Sequence, residues 1–184
     1  MNDIEAQERT KYEQMWQIDS YRRNAPGEKL VGDAVSKLGI KTGDTVIDFG
    51  CGTGRAAAKF QALGMKISAV DIAANCLDSG IELPLAVQTL WEPCPFAAKY
   101  GFCTDTMEHI PPERVDEVLA NIKICVSACY FQIATRPDSM GKLIEDTLHL
   151  TVNDADWWLR KLQDHFGSVE IEPRPGCVIA VCKS

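Results

Sequence analysis

The stretch that decides the fold is Val46-Ile47-Asp48-Phe49-Gly50-Cys51-Gly52-Thr53-Gly54-Arg55. It opens in a short apolar run, Thr45 to Gly50, that reads as a buried strand. Three glycines at alternate positions follow. Arg55 to Leu63 then has helical composition, with Gly64 as its stop. A strand that passes through a glycine turn into a helix is a unit of an open α/β sheet, in which ligands bind at the carboxyl ends of the strands. Gly50, Gly52 and Gly54 permit the tight turn and let a ligand approach the backbone with no Cβ in the way. Asp71 ends the next apolar run, Lys66 to Ile72. It lies about 20 residues on, where a carboxylate can take both hydroxyls of a ribose.

Outward from this unit, strands and helices alternate. Ile4 to Ile18 reads as a helix broken by Asn24-Ala25-Pro26-Gly27, and Leu30 to Leu38 as a second helix closed by Gly39. Leu85 to Leu90 and Tyr100 to Thr104 read as a third and a fourth strand. Pro111 and Pro112 open a helix over Glu113 to Ile122, and Ala128 to Ala134 is strand-like. Asn153 or Asp154 caps a helix through Phe166 with a stripe of Trp157, Trp158 and Leu162. Val169 to Ile171 and Val178 to Val181 then make a hairpin across Pro173, Pro175 and Gly176. We expect a doubly wound, Rossmann-like sheet with helices on both faces, mostly parallel with an antiparallel C-terminal strand. The expected organisation is one domain over 1–184, with N-terminal helices over 1–38 as a candidate lid and a core over 39–184.

The composition excludes several classes. A chain of 184 residues, 46% apolar, is long enough to bury a core without disulfide or metal staples. A net charge of -7 argues against a wide grip on a nucleic-acid backbone, which needs clustered Lys and Arg. The longest uncharged run, Ile124 to Thr135, is shorter than the roughly 18 residues a spanning helix needs, so no membrane segment is expected. The polar N-terminus has no apolar signal core. There are eight cysteines, no CxxC pair, and Cys125, Cys129, Cys177 and Cys182 lie within apolar runs. The expected setting is reducing and cytoplasmic. Oligomeric state leaves no signal in the sequence.

The glycine loop lacks the G-x-G-x-x-G of a dinucleotide site and the Lys-Ser/Thr of a P-loop, and Asp48 stands just ahead of its first glycine. An acid there suits a cationic group better than a phosphate. The wording D-x-G-C-G-T-G-R followed by A-V-D-I resembles class I S-adenosylmethionine-dependent methyltransferases, from about Leu30 to the C-terminus. The resemblance implies that Asp48, Gly50, Cys51 and Gly52 line the methionine end of the cofactor. It places Asp71 on the ribose and Ile72 beside the adenine. Many relatives carry an acid for the adenine amino group after the third strand. Here that place falls near Gln88, Thr89 and Leu90, so the contact is either altered or made by Thr89 and backbone. Trp91 is a stacking candidate close by.

Thr104-Asp105-Thr106-Met107-Glu108-His109-Ile110-Pro111 is similar to the xxLEHIP element of small-molecule, ubiquinone-type O-methyltransferases. By that likeness Thr104 and Asp105 sit close to the sulfonium, and Glu108 and His109 face the substrate. Leu148-His149-Leu150 looks like the loop from which a second histidine enters that group's substrate pocket. An acceptor hydroxyl sheds a proton as it takes a methyl, and imidazole titrates where that transfer is feasible. His109, His149 and Glu108 are therefore the catalytic candidates, and S-adenosylmethionine and a small-molecule acceptor the expected partners. No metal is assigned. The alternative use of Asp105, Glu108, His109 and His149 is metal binding, since acid-x-x-Glu-His occurs in metal-dependent relatives. Other readings stay open at the level of function: a cofactor-binding subunit that activates a partner, or an enzyme that cleaves the cofactor. Pro93-Cys94-Pro95 falls after the third strand and reads as packing rather than as a nucleophile. His165 reads as a surface residue at a helix end.

Overall fold

The computed structural model describes residues Asp3–Ser184; Met1 and Asn2 of the expected 1–38 segment lie outside the described residues. The sheet has seven strands: β1 (Thr45–Phe49), β2 (Lys66–Asp71), β3 (Leu85–Val87), β4 (Ala98–Thr104), β5 (Val126–Ala134), β6 (Ser168–Arg174) and β7 (Cys177–Lys183). Their order is β3-β2-β1-β4-β5-β7-β6. Pairing is parallel from β3 across to β5, whereas β7 runs antiparallel to both β5 and β6. The C-terminal hairpin thus inserts its second strand between β5 and its first, as the mixed-sheet expectation requires.

Alternation along the central strands separates two apolar layers, because successive side chains of a strand point to opposite faces. Ile47 and Phe49 of β1 and Cys129, Phe131 and Ile133 of β5 share a core with α5 (Val115–Cys125) and α6 (Ala155–His165). Val46, Ala128 and Tyr130 point the other way, into a core with α3 (Gly27–Leu38) and α4 (Arg55–Ala62). Burial on both faces explains why these strands read as continuous apolar runs. Phe102 ties the second layer together, edge-on to Phe60 at 5.2 Å and stacked with Tyr130 at 5.7 Å.

The helix limits follow their signals. Gly39 ends α3 at φ 66, and the Asp154 carboxylate caps α6 by accepting from the Trp157 amide at 2.8 Å. Trp158 and Leu162, four residues apart, form the buried stripe of α6, with Trp157 half-buried beside it. His165 ends that helix with Nε2 3.1 Å from Asp116.

Several boundaries differ from the sequence expectation, and three of them have a cause visible in the local hydrogen bonding or turn geometry. Helix α1 (Asp3–Met15) stops before Ile18, because Gln17 and Ile18 close tighter turns onto Gln14 and Met15, and the short α2 (Asp19–Arg22) follows. A 3₁₀ turn over Pro112–Arg114 precedes α5, so the helix proper starts at Val115 rather than Glu113. Strand β3 ends at Val87 instead of Leu90, because the Thr89 amide leaves the ladder and donates to the Glu92 carboxylate at 3.0 Å. The N-terminal helices also divide by role. Val31 and Ala34 place α3 in the core, whereas Tyr12 of α1 and Trp16 beyond it pack near the strand tips against Cys51, Ala73 and Cys76.

Candidate active site

Strand β1 delivers Asp48 and then turns sharply. The amides of Gly50 and Cys51 both reach the Val70 carbonyl, at 2.8 and 3.2 Å, which folds the loop back over the tip of β2. Gly50 (φ 73) and Gly52 (φ 50) hold left-handed backbone. A Cβ on Gly50 would collide with the Thr106 side chain, and one on Gly52 would stand 2.9 Å from Trp16 Cη2. Asp71, at the end of β2, is buried. Its Oδ2 accepts from the Gly52 amide at 2.9 Å and its Oδ1 from the Ala73 amide at 3.0 Å. Burial raises the Asp71 carboxyl to about 6 against those lowering bonds. Asp48 is 2% exposed and its Oδ2 has no partner, so burial first and the charge of Asp71 second push it to about 8.

Two adjoining cavities open at these strand tips. The smaller, about 90 Å³, is lined by Asp71, Ile72, Gln88, Thr89, Leu90 and Trp91 among others. The larger, about 630 Å³, takes in Asp48, Gly52, Thr104, Gln132, Arg136 and His149. Trp16, Tyr21, Gly50, Asp105 and His109 belong to the walls of both. The expected cofactor residues therefore come together as one surface, with Cys51 also on the wall of the larger cavity. Within the smaller cavity, Thr89 is almost fully buried and its hydroxyl donates to Glu92 at 2.9 Å. That commits the hydroxyl hydrogen and leaves lone pairs on Oγ1 able to accept an amino hydrogen.

At the far side, Asp105 has φ 47 and its amide donates to the Gln132 carbonyl at 3.0 Å. The His109 Nδ1 lies 2.7 Å from Tyr12 Oη and 3.1 Å from the Leu148 carbonyl. Desolvation, then the nearby charge of His149, push the imidazole of His109 down to about 3. The His149 ring lies 4.8 Å from that of His109, edge to face, and its Nδ1 is 2.7 Å from the Arg136 carbonyl. Glu108 departs from the expected orientation. It is fully buried, lines neither cavity and accepts from the Ala134 amide at 3.0 Å. The 3₁₀ turn over Met107–His109 explains this, since it sends Glu108 inward beneath β5 while leaving His109 on the cavity wall.

Sequence reasoning missed two residues here, Gln132 and Arg136, whereas Tyr21 and Arg22 belong to the N-terminal segment expected as a candidate lid. Tyr21 walls both cavities, and Gln132 and Arg136 line the larger one. Arg22, in the candidate lid segment, donates to the carbonyls of Trp16, Asn75, Cys76 and Leu77 and to Asp78. Asn75 donates to the Glu13 carbonyl and Arg9 to that of Ile72, so the N-terminal segment is fastened to the loop after β2. The one available signal was a polar Gln132 within the apolar run of β5.

A protein-family model described as a methyltransferase domain matches residues 20–170. The chain belongs to that family. The acid-and-glycine site at the tips of β1 and β2 is in keeping with a methyltransferase domain. Searching curated proteins by sequence gave no match. Solved structures share its fold. The DhpI complex with S-adenosylhomocysteine is 15% identical at a TM-score of 0.72, over 96% of this chain and 95% of that one. The Burkholderia thailandensis 1,6-didemethyltoxoflavin-N1-methyltransferase, with its namesake compound and S-adenosylhomocysteine bound, is 16% identical at 0.67, over 90% and 81%. The magnesium protoporphyrin IX methyltransferase from Synechocystis, with bound S-adenosylmethionine, is 15% identical at 0.63, over 85% and 79%. Among the described residues of the methyltransferase, no helix is long and apolar enough to cross a membrane.

Proposed function

We propose that this methyltransferase transfers a methyl group from S-adenosylmethionine to an oxygen or nitrogen of a small-molecule acceptor. The observation that carries the reading is the pair of cavities meeting at Gly50 and Asp105, with the Asp71 carboxylate in one and the His109–His149 pair on the other side. The nucleoside takes the smaller cavity, with its ribose on Asp71, Ile72 beside the adenine and Thr89 and Leu90 around the amino group. The methionine end lies along Asp48, Gly50, Cys51 and Gly52. Thr104 and Asp105 flank the sulfonium, and the acceptor enters the larger cavity. Related folds carrying bound donor or product and a small acceptor support this assignment.

Because a sulfonium is already electrophilic, the protein's share is orientation, exclusion of water and removal of a proton. The S–CH₃ bond breaks as the bond to the acceptor forms, and the donor leaves as a neutral thioether. The acceptor's proton departs at the imidazole pair, with Glu108 positioning His109 from behind. A cytoplasmic location is part of the same proposal and rests on the reading of the eight cysteines as thiols. The test incubates the protein with donor and extracted metabolites and seeks, by mass spectrometry, a compound that gains one methyl. Donor loss without such a compound would instead indicate cofactor cleavage. Binding without donor loss would indicate a subunit that holds the cofactor for a partner. Absence of S-adenosylhomocysteine binding by calorimetry would overturn the cofactor assignment itself.

A further inference from the structure

The chain at the end of β5 alternates into the larger cavity. Gln132, Ala134 and Arg136 stand at every second position and all line it, while Ile133 turns into the opposite core. The Thr135 amide donates to the Gly176 carbonyl at 3.0 Å, so the chain stays paired to the β6–β7 hairpin beyond the last strand residue. This wall therefore offers two polar ends, and they call for opposite partners.

At the deep end, Gln132 is 7% exposed and its Oε1 has no partner. Burial raises the Asp105 carboxyl, while hydrogen bonding from Gln132 and the charge of Arg136 lower it. The Gln132 Nε2 thus serves the acid, and Oε1, which only accepts, is left for an incoming O–H or N–H. An oxyanion placed there would meet lone pairs alone. At the outer end, Arg136 is exposed. Among the described residues its guanidinium has no carboxylate or carbonyl partner, and only its own carbonyl is engaged, by His149. Packing sets the arm instead. Gly176 has φ 76, and a Cβ there would stand 3.1 Å from Arg136 Cδ and 3.6 Å from Cζ, so the arm lies against the hairpin turn. Lys29 of α3 lines the same cavity, exposed and without an ion-pair partner among the described residues. Other charges on this wall are committed. Arg174 is held by Glu172 at 2.9 Å, and the two oxygens of Asp138 accept from the Gly141 and Leu148 amides. Glu28 is the exposed carboxylate that remains. In a chain of net charge -7, two uncommitted cations at one cavity are not a product of composition. A guanidinium fork matches the paired oxygens of a carboxylate or a phosphate.

We propose that the methyl acceptor is an anionic small molecule, held by its carboxylate or phosphate group at Arg136, with Lys29 adding charge, and presenting a hydroxyl or amine to Gln132 Oε1. The inference rests on the methyl-transfer reading and names the acceptor class for it. The methyl leaves sulfur for the oxygen or nitrogen at Gln132, the proton of that atom passes to the imidazole pair, and the oxyanion at Arg136 keeps its charge. The test divides a metabolite extract by ion exchange into anionic, neutral and cationic fractions. Each is incubated with the whole chain and methyl-labelled S-adenosylmethionine. We expect label in a product of the anionic fraction. With that fraction, Arg136→Gln should raise the apparent KM about tenfold or more and change kcat less than about twofold, and Arg136→Lys should recover part of the loss. Arg136 is exposed, so the fold is not at stake, and S-adenosylhomocysteine affinity by calorimetry should stay within about twofold of the parent. Phosphatase treatment of the fraction separates the two oxyanions: loss of the acceptor identifies a phosphate ester, and survival a carboxylate. Label in neutral or cationic products only, or an unchanged KM for Arg136→Gln, overturns the anionic acceptor and leaves methyl transfer standing. Absence of label from every fraction, or of S-adenosylhomocysteine binding, overturns the methyl-transfer reading and this inference with it.

Discussion

Replacing Asp48 by Asn should make the empty protein more stable and the loaded protein harder to form. In the fold the Asp48 carboxyl is raised from 3.8 to about 8, by burial first and Asp71 second. A raised acid favours the folded state when protonated. Its contribution is therefore full below the unfolded value near pH 4 and is lost as pH climbs through about 8. At about 1.4 kcal/mol per pKa unit, a shift of roughly four units destabilises the ionised protein by at most about 6 kcal/mol. An Asn amide in the same unpartnered place returns about 1–3 kcal/mol of that. The net gain at pH 8.5 is about 3–5 kcal/mol, or about 6–20 °C in melting temperature for a domain of this size. Melts at pH 4.5, 6, 7 and 8.5 without cofactor would show the two proteins converging in acid and separating in base. Calorimetry should show the opposite order for the cofactor, with S-adenosylhomocysteine bound about 10- to 100-fold more weakly by the variant, as for loss of a charged hydrogen bond. If Asp48→Asn melts no higher than the parent at pH 8.5 and follows the same pH slope, the account of Asp48 as a strained buried acid is wrong. Unchanged affinity would remove Asp48 from the cofactor site.

Three further outcomes follow from the same geometry. Asp71→Ala removes the acceptor of the Gly52 and Ala73 amides; it should weaken S-adenosylhomocysteine about tenfold or more and lower the melting temperature, and unchanged calorimetric affinity would reject the ribose assignment. Gly52→Ala forces a side chain into left-handed backbone and against Trp16, losing about 1–2 kcal/mol from the backbone alone. Adding Trp16→Ala should recover stability in a double-mutant cycle, and strictly additive losses would show that the two residues do not meet. Asp154→Ala unseats the cap of α6, far from the cavities; it should lower stability by about 1 kcal/mol with methyl transfer unaltered, as parallel melting and turnover measurements would show.

The parts legible in the sequence were those governed by local backbone chemistry. Val46 to Arg55 carries its own turn, because left-handed positions at Gly50 and Gly52 are written as glycine. The double-sided burial of β5 is written as a mostly apolar run, and Asp154 as a cap three residues ahead of the Trp157 amide it accepts from. The losses lie where distant groups decide the geometry. Glu108 reads as a pocket acid until the 3₁₀ turn and the Ala134 amide draw it inward. Leu90 leaves β3 because Glu92 captures the Thr89 amide, a contact that no strand propensity encodes. Arg22 looks like an ordinary surface cation, and only the fold supplies the four carbonyls it gathers. The pairing of His109 with His149 was suggested by likeness alone, since 39 residues separate His109 from the Leu148 carbonyl that holds its ring.

The placement of the indoles gives the molecule an optical readout of its own. Of four tryptophans, Trp16 and Trp91 face the smaller chamber, while Trp157 and Trp158 are packed edge to face on α6. Emission from the second pair would form a constant background, and that from the first would change whenever a purine entered the smaller chamber. Fluorescence quenching could thus follow ligand arrival and departure in real time, without any attached dye.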